Sequence, residues 1–262
     1  MLRRLADLIS PFEPPIRCVG TYHKTGTVWM SRVFSEIAET IGGTFVDLRD
    51  VQDTSFEPDH GTIYLEDHTA FPEPFLTKKV RGIRIIRDPR DVVISGAHYH
   101  GKSSEPWLHH GQAEFGGKTY ADMIKSFDAM EDRYRFEMDN VAADTIACMT
   151  TSRGNKALQR FLKKNFLTVK YENLIDDVEL KEFRKICRRL KLPIKNAAPA
   201  FLNHSLFNNK DAVTGHGRSG KKQQWKSVFN QELGREFAEK HQRSLEILGY
   251  EKDDSWVEGL RP

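Results

Sequence analysis

The sequence predicts an α/β fold of three layers, with a central, mostly parallel sheet covered by helices on both faces. Two observations carry that prediction. Short apolar runs at 16–22, 62–66, 82–88 and 166–173 alternate with segments whose apolar residues recur at helical spacing. Each run also ends abruptly in polar or charged residues, "YHKTGT", "EDH", "RDPRD" and "YEN" in turn. In such a sheet these are the carboxyl ends of strands, where ligands lie. The chain has 262 residues and no Pro/Gly linker, internal repeat or low-complexity segment, so residues 1–262 read as a single domain.

The elements follow in order. The first strand, "IRCVG" and the two residues after it, leads through a short loop into a helix over 27–41. Trp29, Val33, Phe34, Ile37 and Ile41 mark its buried face, and the glycine pair at 42–43 stops it. "TIYLE" and "GIRIIRD" are further strands. The second of these runs into a proline turn and a helix that carries Ser95, eight residues beyond Arg87. The loop "GKSSEPWLHHGQAEFGG" has a length typical of lids and binding segments. Beyond it Tyr120, Ile124, Phe127, Met130 and Tyr134 share one helical face and read as core. After the strand "FLTVKYEN", Leu180, Phe183, Ile186 and Leu190 form the apolar side of a helix within 178–195, and its Lys and Arg residues form a solvated face.

Composition sets limits. A net charge of +3, from 40 basic and 37 acidic residues, does not argue for nucleic acid, yet it allows a local basic cleft. No apolar run approaches a membrane span, and "MLRRLADLIS" is too short in its apolar part for a secretory signal. Leu2, Leu5, Leu8 and Ile9 read as a turn packed on the body of the domain. Cys18, Cys148 and Cys187 form no CxxC pair, which fits a reducing compartment and a cytoplasmic location. His98, His100, His109 and His110 lack Cys or carboxylate partners at ligand spacing, so no metal is expected.

The strand-end loops carry the chemistry. Lys24, Thr25, Gly26 and Thr27 lie where a strand turns into a helix, so successive backbone amides and the helix dipole favour an anion. Gly26 lets the backbone approach closely, and Lys24 adds a mobile positive charge. The ATPase pattern G-x-x-x-x-G-K-[ST] is not met, because the lysine precedes the glycine. Arg87 and Ser95 are placed to meet on one phosphate, with Arg giving forked hydrogen bonds. "GRSGKKQQWK" is a third, glycine-bearing basic stretch, which alone reads as a solvated charge run.

Together the three stretches resemble the sulfotransferases that use 3′-phosphoadenosine 5′-phosphosulfate (PAPS). "YHKTGTVWM" is similar to the family's phosphosulfate loop Y-P-K-S-G-T-T-W, and "RDPRDVVIS" to its 3′-phosphate motif R-x-P-x-D-x-x-x-S. "RSGKKQQWK" resembles its R-K-G-x-x-G-D-W-K-N loop. The resemblance implies a P-loop-like strand–loop–helix in which Lys24, Thr25, Gly26, Thr27 and Val28 grip the 5′-phosphosulfate. It implies that Arg87, Ser95, Arg218, Ser219 and Gly220 hold the 3′-phosphate, and that Trp29 and Tyr171 flank the adenine. His23 stands where the family has proline, Ser219 where it has lysine, and Gln223–Gln224 where it has Gly-Asp.

The implied reaction is sulfuryl transfer to a hydroxyl of a small molecule, lipid or carbohydrate. Adenosine 3′,5′-bisphosphate (PAP) is the product, and no metal or nucleic acid is needed. His68 matches the family's base at a strand end, with Glu66 as its rival, and Lys24 neutralises charge on the departing phosphate. Two other readings remain open from the residues alone. "TIYLED" allows an ATP-dependent small-molecule kinase, and the same loops allow a nucleotide-binding protein without catalysis.

Overall fold

The computed structural model describes residues 14–53, 55–205 and 222–262. Five strands, β1 (Ile16–Gly20), β2 (Thr44–Asp47), β3 (Thr62–Glu66), β4 (Val80–Ile86) and β5 (Phe166–Lys170), form one parallel sheet in the order β2-β3-β1-β4-β5. In register, Val19 of β1 stands between Leu65 of β3 and Ile83 of β4, and Ile85 pairs with Val169. All five β1 residues are buried. That is the pattern of a parallel strand covered on both faces, and it explains why the run reads as continuously apolar.

Alternate side chains of the strands feed opposite layers. Val19, Ile63, Leu65, Ile83 and Ile85 point to one face, against α1 (Thr27–Thr40), α7 (Lys181–Leu190) and α8 (Ile194–Asn203), where Phe34, Phe183 and Phe201 fill the core. Cys18 and Tyr64 point to the other face and meet α6 (Lys156–Asn165) through Leu158, Phe161 and Leu162. Ile86 and Tyr22 join α2 (Pro89–His100), α3 (Tyr120–Lys125), α4 (Met130–Asp139), α5 (Val141–Thr151) and α9 (Gln231–Leu248) in a third apolar cluster. The three-layer α/β reading therefore holds.

Four details differ from the sequence expectation. β2 is an additional edge strand: its four residues, one exposed and three half-buried, are too few to show a periodic signal. The last strand stops at Lys170, and Tyr171–Leu174 is a helical turn, so Tyr171 stands just past the strand end. The middle helix breaks between Lys125 and Met130. The 178–195 segment ends its helix at Lys191, whose φ of 51° is left-handed, and Pro193 then caps α8.

The chain leaves β1 toward β2 and β3 on one side, then crosses to β4 and β5 on the other. That reversal opens a crevice at the carboxyl end of β1, between the loops after β3 and β4.

Candidate active site

The loop after β1 is held in shape before any ligand arrives. Thr25 closes it: its amide donates to the Tyr22 carbonyl at 3.0 Å, and its hydroxyl both donates to that carbonyl and accepts from the Tyr22 amide. Lys24 and Gly26 adopt φ of 63° and 103°. A Cβ at Gly26 would stand 3.3 Å from the Tyr171 ring. Beside the loop, the Thr69 hydroxyl donates to Thr21 O at 2.7 Å, which ties the β1 and β3 loops together.

No side chain caps α1. The Thr27 hydroxyl pairs instead with Thr21 Oγ1 at 2.9 Å. The first amides of a helix have no partner within the helix, so those that follow Gly26 are left to bind an anion. Lys24 folds over the Tyr99 ring, with Nζ 3.2 Å from its centroid.

Arg87, buried at the end of β4, reaches the same place. Its Nη1 donates to Lys24 O at 2.9 Å, and its guanidinium lies 4.8 Å from the Tyr171 ring centre. Arg87 Nε is enclosed and has no partner, as is the indole nitrogen of Trp29. Trp29 meets Tyr171 edge-on at 6.1 Å and packs on Phe201 at 5.7 Å. Burial raises the Tyr171 hydroxyl above its ordinary range, with Arg87 opposing. Lys24, Gly26, Trp29, Arg87 and Tyr171 are thus one constellation. Two buried donors, on Arg87 and Trp29, wait there for an acceptor.

Behind it lies a charged brace. Asp88 caps α2 through the Arg90 amide and grips the Arg90 guanidinium with both oxygens, at 3.0 and 2.8 Å. Arg90 also reaches Glu251 at 2.7 Å and lies over the Trp225 ring at 3.5 Å. The Trp225 amide donates to Asp91, so the end of the third basic stretch is pinned to the start of α2. Burial pushes the Asp91 carboxyl up to about 6, against the pull of Arg87. Glu172 accepts from the Asp88 amide and from the Tyr250 hydroxyl, which locks the "YEN" turn to the same brace.

At the end of β3, Glu66 Oε2 accepts from the His68 and Ala70 amides at 2.9 and 2.5 Å. Burial lifts its carboxyl to about 7. His68 Nε2 is 3.8 Å from Asp67, and its Nδ1 is enclosed without a partner. Facing them, His23 bonds His100 Nε2 at 2.7 Å, and His100 Nδ1 bonds the buried Glu137. Burial and the neighbouring His100, Lys24 and His68 hold the His23 imidazole well below its usual range.

Of the other expected residues, Val28 lies on the first turn of α1 and Ser95 on the second turn of α2, both partly exposed. Arg218, Ser219 and Gly220 lie outside the described residues, as do Leu2, Leu5, Leu8 and Ile9. Phe71 and Phe75, just beyond the end of β3, belong to the core against α6. Arg90 and Glu137 do not stand out in the sequence. Their only signal is chemical type, and it takes the fold to bring them beside the loop.

A family model of the sulfotransferase domain matches residues 64–249. The 3-beta-hydroxysteroid sulfotransferase of Cavia porcellus is 25% identical over 268 residues, covering 86% of this chain and 82% of that protein. The structure of mouse sulfotransferase SULT7A1 complexed with PAP gives a TM-score of 0.63 at 18% identity and covers 89% of this chain and 85% of that one. Retinol dehydratase in complex with androsterone and inactive cofactor PAP gives 0.53 at 12% identity, with 93% and 84% covered. At such identities the two structures speak to the fold.

Proposed function

The chain belongs to the sulfotransferase domain family, and we propose that this cleft moves a sulfuryl group from PAPS to a hydroxyl, with Lys24, Arg87 and the start of α1 as its donor grip. PAPS supplies the activated sulfuryl group and leaves as PAP. One observation supports the grip above the others. Arg87 is bonded to the backbone of Lys24, 63 residues away, and still has a buried nitrogen without a partner. A guanidinium and an uncapped helix start thus share one cleft, as a donor with two separate anionic groups requires. Gly26, Thr27 and Val28 offer amides to the 5′ side. Thr25 shapes the loop, because its hydroxyl is engaged with Tyr22. Trp29 and Tyr171 form a slot for the adenine. Ser95, Arg218, Ser219 and Gly220 complete the 3′-phosphate site in this reading.

Catalysis then needs alignment, neutralisation of the leaving phosphate and a base. The Lys24 ammonium acts on charge that grows as the S–O bond breaks, so it favours the transition state over the bound donor. The attacking hydroxyl gives its proton to a base where the ends of β1 and β3 meet, the ground shared by His68, Glu66 and His23. The acceptor is a small-molecule, lipid or carbohydrate hydroxyl. The name of the Cavia porcellus relative supports a sterol-like alcohol. A cytoplasmic address is part of the reading, supported by three buried cysteines that form no disulfide.

Calorimetric titration with PAP tests the donor site. The wild type should bind it, and Arg87→Ala should bind roughly thirtyfold more weakly, the loss of about 2 kcal/mol from charge-assisted hydrogen bonds. Equal affinity in the two proteins removes Arg87 from the site. Transfer of labelled sulfate from PAPS should persist in excess chelator, and a strict magnesium requirement would return the protein to the kinases.

A further inference from the structure

Three elements contribute to one buried line of groups that ends at the loop after β1. Glu137 on α4 and His100 in the last turn of α2 are fully enclosed. Glu137 Oε1 accepts from His100 Nδ1 and, at 3.0 Å, from the Tyr120 hydroxyl of α3. His100 Nε2 meets His23 Nε2 at 2.7 Å, with the two rings within 13° of parallel. His23 immediately precedes Lys24, and its ring is half-buried at the cleft. A Cβ on Gly96 would stand 2.5 Å from Glu137 Oε2, so α2 is bare where the carboxylate sits.

The line has a direction. Glu137 holds the Nδ1–H tautomer of His100, which makes Nε2 of a neutral His100 an acceptor. His23 then donates from Nε2 and keeps its lone pair at Nδ1. Nδ1 has no hydrogen bond to any described residue. A buried carboxylate without a cation is costly. The described groups bonded to Glu137 are an imidazole and a phenol, so its charge is balanced when a proton enters the line.

We propose that His23 takes the proton from the attacking hydroxyl, and that His100 and Glu137 are positioning residues that relay it inward. The inference rests on the sulfuryl-transfer reading above. As the acceptor oxygen bonds sulfur, the S–O bond to the 5′-phosphate breaks and the hydroxyl proton joins His23 Nδ1. The Nε2 proton of His23 passes to His100 Nε2, leaving an imidazolium against Glu137. After products leave, the same transfers run backwards and Nδ1 releases the proton to solvent.

His68 and Glu66 are less well prepared. No hydrogen bond fixes the tautomer of His68 among the described residues, and Glu66 Oε2 is engaged with two backbone amides. The groups facing the relay are Lys24 beside His23, His68 from the β3 end, Tyr99 from α2 and Tyr120 from α3. Burial together with Lys24, His68 and His100 favours neutral His23, the form that accepts a proton.

The test uses the full chain labelled with 15N-histidine, followed by NMR from alkaline pH down to the acid limit of the folded state. His23 should carry its proton on Nε2 at high pH. On acidification His23 and His100 should titrate as one coupled event, with the new proton at His23 Nδ1. Glu137→Gln should move that event down by about one pH unit or more. His100→Asn, a second variant in case the first does not fold, should leave His23 to titrate alone. Independent titrations in the wild type, or a proton on His23 Nδ1 across the whole range, overturn the relay. Transfer from PAPS to 2-naphthol should fall at least about 100-fold in His23→Gln and be partly restored to His23→Ala by added imidazole. Turnover of His23→Gln within about threefold of the wild type overturns the base assignment. PAP calorimetry separates the two readings. A wild type that does not bind PAP brings down the donor site and the relay with it, whereas intact binding with independent titrations brings down the relay alone.

Discussion

Glu66 shows how one side chain reports its surroundings. It ends β3, accepts two amides and is lifted from 4.5 to about 7, with burial the leading cause. The folded state therefore binds more protons than the unfolded chain between those values. The protonated carboxyl stabilises the fold fully below about 4.5, and that contribution is lost as pH rises through about 7. Glu66→Gln removes the dependence. We expect its melting temperature to climb relative to the wild type by about 5 °C between pH 5 and pH 8, from about 2 kcal/mol after discounting for partial exposure. A constant difference between the two proteins across that interval contradicts the burial of this carboxylate. Arg87 reports the opposite situation. It is buried like a structural arginine, but one nitrogen is left without a partner, which a purely structural ion pair would have satisfied.

At the scale of elements, the decisive unit is β1, its loop and α1. The strand is anchored by neighbours on both sides, the loop is closed by Thr25, and α1 begins at a glycine with no side-chain cap. An uncapped helix start normally costs stability, so its retention fits a site where a ligand supplies the missing acceptor. Gly26 is the sensitive position, since its φ of 103° is left-handed and the Tyr171 ring crowds the place of a Cβ. Gly26→Ala should destabilise the fold by about 1–2 kcal/mol and weaken PAP binding at least tenfold, read by denaturant titration and calorimetry. A variant matching the wild type in both would show that neither the strain nor the close approach matters.

For the whole molecule, the cleft draws together parts of the chain that are far apart. Lys24 touches Arg87, Arg87 faces Tyr171, and Asp91 holds Trp225. This network joins distant parts of the described chain around one cleft, and a ligand seated there should stabilise all of them. PAP at about one hundred times its dissociation constant should add about 2.7 kcal/mol, or roughly 5–10 °C of melting temperature, in a single transition. Two transitions, with only one of them moving, would divide the chain into independent units.

The sequence by itself determined four of the five strands, the order of their loops and the family resemblance. Those features rest on local signals: continuous apolar runs, helical periodicity and short motifs such as "HKTG" and "RDPRD". The family match over 64–249 includes Arg87, Ser95 and Tyr171, while Lys24 lies before it, so the loop's own residues carry that assignment. Edge strand β2 escaped notice because four half-exposed residues leave no periodic trace. Only the tertiary structure decided that the Thr25 hydroxyl closes the loop, that Arg90 is a brace between Asp88 and Trp225, and that Glu137 and His100 stand in line with His23. The physical reason is that spacing along the chain fixes which neighbours share a strand or helix face. The partner of a buried charge is chosen by packing between elements, and His23 and His100 are 77 residues apart.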